Sequence, residues 1–289
     1  MQRISNIWRH SAYFFLLLVL MVVACRPQKL PQPLEPGRDP HLTLGNPSRA
    51  TTVVQQPNNY LIERPEYALA YHRDRGTPNW VCWHLSRAWI GEADRQDNFR
   101  IDDSLPEGWY RVRPTDYRNS GFDRGHLCPS ADRSATEAEN AATFLMTNMA
   151  PQAPNHNRIV WNALEQYCRQ LIDEGMEMYI IAGVHGQGGE GSNGSAQALA
   201  DGQVIVPATF WKIIVVLPEG EDDLRRINTD TRVIAVNIPN TQAASQQRWE
   251  NYRVSVRELE ALTGYDFLSS LPSRLQDQLE TRIDHLPIR

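Results

Sequence analysis

Lysine is nearly missing from this chain: 289 residues include 27 arginines but only Lys29 and Lys212. Genomic composition alone would produce such a bias, although guanidinium groups also offer the paired planar donors that suit phosphate oxygens. A basic surplus is missing too. The formal net charge is −5, and between Arg87 and Arg169 there are 10 arginines against 12 acidic residues. That balance speaks against a protein that coats a polyanion, which needs a broadly basic face, while leaving room for positive charge focused in one cleft. Cysteine is limited to four residues, and Cys and His are too sparse around Asn157 for a structural zinc site. No apolar run reaches the ~20 residues that cross a bilayer. The glycine-rich stretch 183–195 lacks the Gly-Lys-Ser/Thr ending of a phosphate-binding loop and reads as a mobile surface loop. No helix-turn-helix, zinc finger or repeat is visible, so nothing is equipped to read bases.

The N-terminus carries an address. Arg3 and Arg9 precede the apolar run Phe14 to Val23, which ends in Val22-Val23-Ala24-Cys25. A positive start, a short apolar core and a small residue before the break read as an export signal over residues 1–24. The same four residues resemble a bacterial lipobox, in which Cys25 would carry lipid. Arg26 is not the Asp that retains lipoproteins on an inner membrane, so the expected location is the outer membrane or cell envelope, with simple secretion as the alternative. Residues 25–42, with Pro27, Pro31, Pro33, Pro36 and Pro40, read as an extended tether. Residues 43–289 are long enough for one large domain, and no linker divides them.

Within that domain the pattern is α/β of the α+β kind, a central mixed, mainly antiparallel sheet with flanking helices. Asn79 to Leu85, Met178 to Ala182, Val204 to Pro207, Phe210 to Leu217 and Arg232 to Ile238 are short apolar runs rich in β-branched or aromatic residues, which predicts strands. Ala135 to Phe144 and Asn157 to Glu174 predict helices. Ser255 with Glu258 forms a capping box for a last helix that stops at Gly264.

Chemistry concentrates between positions 121 and 169. Gly121-Phe122-Asp123-Arg124-Gly125-His126 supplies a base and a guanidinium, and Thr147-Asn148-Met149 an amide. Asn157, Trp161, Glu165 and Arg169 follow at intervals of four, which on a helix places them in one drifting line. An ordinary amphipathic helix would simply turn such polar residues to solvent. The turn at Pro151, Pro154 and Asn155 immediately upstream, with Asn148 before it, suits the alternative of a cation or phosphate at the helix start. Phosphoryl transfer needs an activated nucleophile, a metal for the developing charge and donors holding the phosphate in line.

Asp123-Arg124-Gly125-His126, Pro129-Ser130-Ala131-Asp132-Arg133, Ala93-Asp94-Arg95-Gln96-Asp97-Asn98-Phe99-Arg100 and Asn140 to Met149 together resemble the DNA/RNA non-specific endonuclease family, the ββα-metal or His-Me finger nucleases, and its secreted, sugar-non-specific branch in particular. The resemblance runs from about residue 41 to about residue 270. It implies a metal-dependent endonuclease that cuts DNA and RNA through backbone contacts and leaves 5′-phosphates. It makes His126 the general base, Asn157 the direct ligand of a hydrated Mg²⁺, with Mn²⁺ as a substitute, and Glu165 a holder of metal-bound water. Arg95, Arg124 and Arg169 match arginines near the phosphate, Asn148 matches a residue that orders the site, and Asp123 is positional. His126 is expected to titrate near its ordinary value, and the enzyme to act as a monomer, with an inhibitor protein as a further conceivable partner. Two other readings stay open: a non-catalytic surface lipoprotein with this fold, and a nuclease restricted to structured substrates.

Cys128 stands where the family usually has Ala, Cys82 where it has Ser, and His156 precedes the ligand Asn. With Cys25 set aside for lipid, a Cys82 to Cys128 disulfide bracing the cleft is the expectation to test, against two independent buried thiols.

Overall fold

The computed structural model describes residues 37–287. The export signal, Cys25 and residues 25–36 of the tether lie outside the described residues. Among the described residues, no helix is long and apolar enough to cross a membrane.

In chain order the strands are β1 (Tyr60–Glu63), β2 (Ala68–His72), β3 (Thr77–Leu85), β4 (Asp123–His126), β5 (Met149–Gln152), β6 (Met176–His185), β7 (Gly189–Gly191), β8 (Gly194–Ala196), β9 (Ala198–Leu199), β10 (Val204–Ile205), β11 (Thr209–Pro218), β12 (Arg232–Pro239) and β13 (Arg253–Val254). The helices are α1 (Glu137–Ala142), α2 (Asn162–Asp173), α3 (Asp223–Arg226), α4 (Val256–Thr263) and α5 (Ser273–Glu280). Seven strands form the main sheet in the order β1-β2-β3-β6-β11-β12-β13, and every pairing in it is antiparallel.

Alternation along the strands loads both faces of this sheet. Val81, Trp83 and Leu85 of β3 join Ile180 of β6 and Phe210 and Ile214 of β11 beneath Leu164, Cys168 and Leu171 of α2. Trp80 and Cys82 join Tyr179, Ile181, Trp211 and Ile213 on the reverse face, covered by Val256 and Leu259 of α4 and Leu279 of α5. Burying each large aliphatic or aromatic side chain contributes about 1.5–3 kcal/mol, so the two layers carry the stability of the fold. Gly183 is required where β6 passes β11: a Cβ there would lie 2.3 Å from the Trp211 ring.

The cap of α4 forms as its sequence predicts. Ser255 accepts from the Glu258 amide, Glu258 reaches back to the Ser255 amide, and Gly264 closes the helix at φ 74°. Three expectations are corrected. The stretch 183–195 is not a free loop: Gly183 to His185 finish β6, and residues from Gly189 fold as the β7–β8 hairpin, with the Ser192 amide donating to the Gly121 carbonyl at 2.9 Å. Cys82, Cys128 and Cys168 are all free and buried. Cys82 belongs to the reverse face and Cys128 to the α2 face, so the sheet itself stands between them and no bridge forms. The expected helix from Asn157 also begins differently, as a π-helical segment, His156–Trp161, that passes into α2.

The described residues form one compact unit. It takes in the last residues of the tether as read from composition, since Ser86 Oγ donates to the Gly37 carbonyl and Arg38 bonds Glu139 at 2.6 Å and the Ala88 carbonyl at 2.8 Å.

Candidate active site

Strand β4 pairs with β5 as an isolated antiparallel ladder, Asp123 opposite Gln152 and His126 opposite Met149. Gly125 permits the pairing, since a Cβ there would meet the Gln152 side chain at 2.3 Å. The chain leaves β5 and turns at once into the π-helical segment and α2. A ββα unit therefore lies against the α2 face of the main sheet, its polar side chains meeting in an open cleft of about 300 Å³ lined by Arg95, Arg124, His126, Pro129, Ser130, Asn157, Arg158, Asn162 and Glu165.

His126 is gripped edge-on by Phe144, with ring centroids 4.9 Å apart, and flanked by Phe99 at 5.5 Å. Its Nε2 is buried without a hydrogen-bond partner, which leaves Nδ1 as the nitrogen able to serve the cleft. Burial, reinforced by the charges of Arg95 and Arg124, pushes its pKa down to about 3. The expected near-ordinary titration is thus corrected. The ring is neutral at physiological pH, so one nitrogen carries a free lone pair, and an arriving phosphodiester opposes the two arginine charges that depress its basicity.

Asn157 has its amide turned by a carboxylate. Its Nδ2 donates to Asp123 Oδ2 at 2.9 Å, which leaves Oδ1 available to a cation. Arg158 holds that same carboxylate in a fork, Nε to Oδ2 at 2.8 Å and Nη2 to Oδ1 at 2.6 Å. Asp123 is therefore positional in a concrete sense: it sets which end of the Asn157 amide faces outward. The wider π turn supplies the rest. The Asn162 amide bonds to the Asn157 carbonyl, five residues back, so Asn162 rather than Trp161 follows Asn157 to the cleft. Trp161 is buried in the core. Such segments store a one-residue offset and recur at functional sites.

Glu165 lies at the cleft floor, its pKa raised by burial and opposed by Lys212 and Arg169. Lys212 Nζ sits 3.6 Å from Glu165 Oε1 and 4.1 Å from the Trp161 ring centroid, a buried cation on β11 held by a carboxylate and an aromatic face. Arg169 does not reach into the cleft lining: it bonds Asp132 Oδ1 at 2.8 Å, while Trp83 Nε1 donates to Asp132 Oδ2 at 3.0 Å. Arg95 bonds Asp97 at 2.8 Å and Ser130 at 2.9 Å, and Arg124 stacks over Phe99 at 4.0 Å. Asn148 is fully buried behind the motif. It donates to the Cys128 and Thr143 carbonyls at 2.8 and 2.9 Å and accepts from the Cys128 amide at 3.0 Å, so it shapes the chain just after His126 without touching the cleft.

His126, Asn157, Glu165, Arg95 and Arg124 thus converge, with Arg169 one layer beneath and Asn148 behind. Sequence reasoning missed Arg158, Asn162, Ser130 and Lys212. Arg158 had a faint signal in its place beside Asn157, and Lys212 in its rarity. Three arginines at the rim make the cleft locally basic within an acidic chain. An amide oxygen and a half-buried carboxylate are hard oxygen donors and fit a hydrated Mg²⁺ better than zinc, for which no thiolate lines the cleft.

An antiparallel pair bearing a histidine, followed at once by a helical segment bearing an asparagine in the same cleft, is the arrangement of the ββα-metal class of nucleases. Residues 45–274 match the model of the DNA/RNA non-specific endonucleases. A nuclease of Nostoc sp. is 49% identical over 272 residues, 93% of this chain and 96% of that one. Human mitochondrial endonuclease G is 31% identical over 221 residues, 74% of this chain and 71% of the relative. A crystal structure of EndoG in complex with EndoGI superposes with a TM-score of 0.66 at 25% identity, covering 81% of this chain and 92% of that one. The chain belongs to the DNA/RNA non-specific endonuclease family, a family that is metal-dependent, and it is a nuclease.

Proposed function

We propose that this nuclease hydrolyses DNA and RNA internally without regard to the sugar, leaving 5′-phosphates, with His126 as general base and Asn157 as the direct ligand of a hydrated Mg²⁺. The observation that carries the reading is the Asn157 amide, locked by Asp123 with its oxygen free, in the same cleft as a neutral His126. When bound, Mg²⁺ neutralises charge on the phosphate oxygens and lowers the pKa of its waters. Asn157 would hold it directly, and the Glu165 carboxylate would hold water beside it.

The protein's own groups do the remainder. His126 Nδ1 takes the proton of the attacking water, its ring kept in place by Phe144 and Phe99, and general-base help of this kind contributes about 10²–10⁴-fold. Arg95 and Arg124, steadied by Ser130 and by the Phe99 face, hold non-bridging oxygens and resist drift of the phosphate out of line. Arg169 acts through Asp132 and Glu165, from beneath the cleft. Contacts confined to phosphates ignore both base identity and the 2′-hydroxyl, and they weaken as salt rises.

The N-terminal pattern supports a second part of the reading: export, with lipid attachment at Cys25 holding a monomeric enzyme at the outer membrane or cell envelope. Digestion of plasmid, single-stranded DNA and RNA with Mg²⁺ and with EDTA tests the activity. Loss of all three substrates only with metal is expected, and a preference confined to one structured substrate would overturn it. Detergent partitioning of parent and Cys25→Ser protein tests the anchor, which fails if the parent is found free in the medium without lipid.

A further inference from the structure

The face of the main sheet away from the cleft holds a second concentration of charge, assembled from four distant parts of the chain. His84 is the next inward residue after Trp80 and Cys82 on β3, and Glu177 precedes Tyr179 on the same face of β6. Asp223 opens α3, and Asp39 comes from the segment that leads into the domain. One ligand atom from each of Asp39, His84, Glu177 and Asp223 lies within 4.8 Å of the others. His84, Glu177 and Asp223 are buried, and Asp39 is half-buried.

Hydrogen bonding inside the cluster is incomplete in one direction. Glu177 Oε1 accepts from the Gly220 amide at 3.0 Å and from Arg226, and Asp223 accepts from Tyr179 Oη at 2.6 Å and from Arg226. Those bonds aim the carboxylates from outside. On the inside, His84 Nε2 and Glu177 Oε2 have no hydrogen-bond partner although both side chains are fully buried. They stand 3.4 Å apart. In a tetrahedral site with bonds of about 2.0–2.1 Å, ligand atoms are separated by about 3.3–3.4 Å. Three carboxylates share one guanidinium, and the pKa of Asp39 is raised by burial and by Asp223 and Glu177, so the pocket is short of positive charge.

We propose that Asp39, His84, Glu177 and Asp223 form a structural site for a divalent ion of the Zn²⁺ or Mn²⁺ class, separate from the nuclease cleft. One imidazole with three carboxylates suits borderline ions of this kind better than Ca²⁺ or Cu⁺. Tyr179, Gly220 and Arg226 supply the outer bonds that fix ligand orientation in such sites. The ring proton must move for binding: the Asp39 amide donates to His84 Nδ1 at 3.2 Å, which places the proton of a neutral ring on Nε2. Metal at Nε2 sends that proton to Nδ1 and breaks this long hydrogen bond, and the half-buried Asp39 turns so that its carboxylate becomes the ligand. The ion would staple the entry segment to β3, β6 and α3 and so fasten the start of the domain.

The test uses the full chain carrying Asn157→Ala, which removes the amide ligand of the cleft. The protein is stripped with EDTA, exposed to Zn²⁺ or, separately, Mn²⁺, desalted and read by elemental mass spectrometry and thermal melting. One retained equivalent and a Tm rise of about 5 °C at saturation are expected. Adding Asp39→Asn or His84→Gln should weaken retention at least about 10-fold and remove most of the Tm rise. If His84→Gln fails to fold, Asp39→Asn decides alone, since it changes only the charge of a half-buried side chain. No retained ion, or a Tm rise that survives Asp39→Asn, overturns the proposal.

Discussion

The seven-stranded sheet and the two-stranded β4–β5 pair use the same pleat for opposite ends. In the sheet both faces are covered, so alternate residues such as Trp80 and Val81 are each buried against a different helical layer. In the pair, the residues of Asp-Arg-Gly-His meet a cleft on one side and a wall of Phe99 and Phe144 on the other. The sheet gains stability from area removed from water, whereas the pair gains orientation from a few directed bonds. Substitutions should therefore separate stability from activity according to which of the two they strike.

The largest effect is expected at Asn157→Ala, where loss of the metal-binding amide should cost at least about 10³-fold in turnover with a Tm close to the parent's. A Mg²⁺ titration with an unchanged midpoint would remove Asn157 from its role. Next comes Asp123→Asn, which keeps the shape but replaces the carboxylate that turns the Asn157 amide and anchors Arg158. A drop of about 10–100-fold, with a weaker Mg²⁺ midpoint, is the outcome expected of an orienting partner.

Acid should destabilise the fold through its buried histidines. His126, His156 and His41 are pushed down to about 3 and His72 to about 4, chiefly by burial, whereas the unfolded chain takes up protons near the ordinary histidine value of 6.5. A depressed folded pKa means stability is intact above about pH 6.5 and is lost as pH falls toward 3, because protons bind the unfolded state first. Tm measured from pH 7 to pH 4 should fall steadily, and amide exchange should quicken around β4 and the π-helical segment. A flat profile would contradict the burial of those rings. The smallest effect is expected at Ile214→Val in the sheet, about 0.5–1.5 kcal/mol of stability with turnover unchanged, read from denaturant melts beside an activity assay.

The same contrast explains what was legible in the sequence. The central strands could be read because β-branched and aromatic runs such as Phe210 to Leu217 serve buried pleats, and α4 because its capping box is local. The edge strand Tyr60–Glu63 and its neighbour Ala68–His72 went unread, being short and broken by Pro65 between them. The motif residues could be read as a set, but not their orientation. A regular helix from Asn157 would have aligned Trp161 with the cleft, and only the π turn brings Asn162 there. The disulfide expectation failed because spacing shows that Cys82 and Trp83 face opposite ways without showing which side Cys128 occupies. The Asp39, His84, Glu177 and Asp223 cluster is invisible in sequence, its members being brought together by the pairing of β3 with β6 and by the packing of the entry segment and α3 beside them.

The central claim is that a neutral, buried His126 takes the proton from water in the cleft. Chemical rescue of His126→Ala by free imidazole tests it most directly, since the substitution opens space between Phe99 and Phe144 that an imidazole can enter. Turnover should fall by about 10²–10⁴-fold, recover in part with added imidazole, and follow the pH dependence of the added base. A folded His126→Ala protein that keeps near-parent turnover would contradict the account.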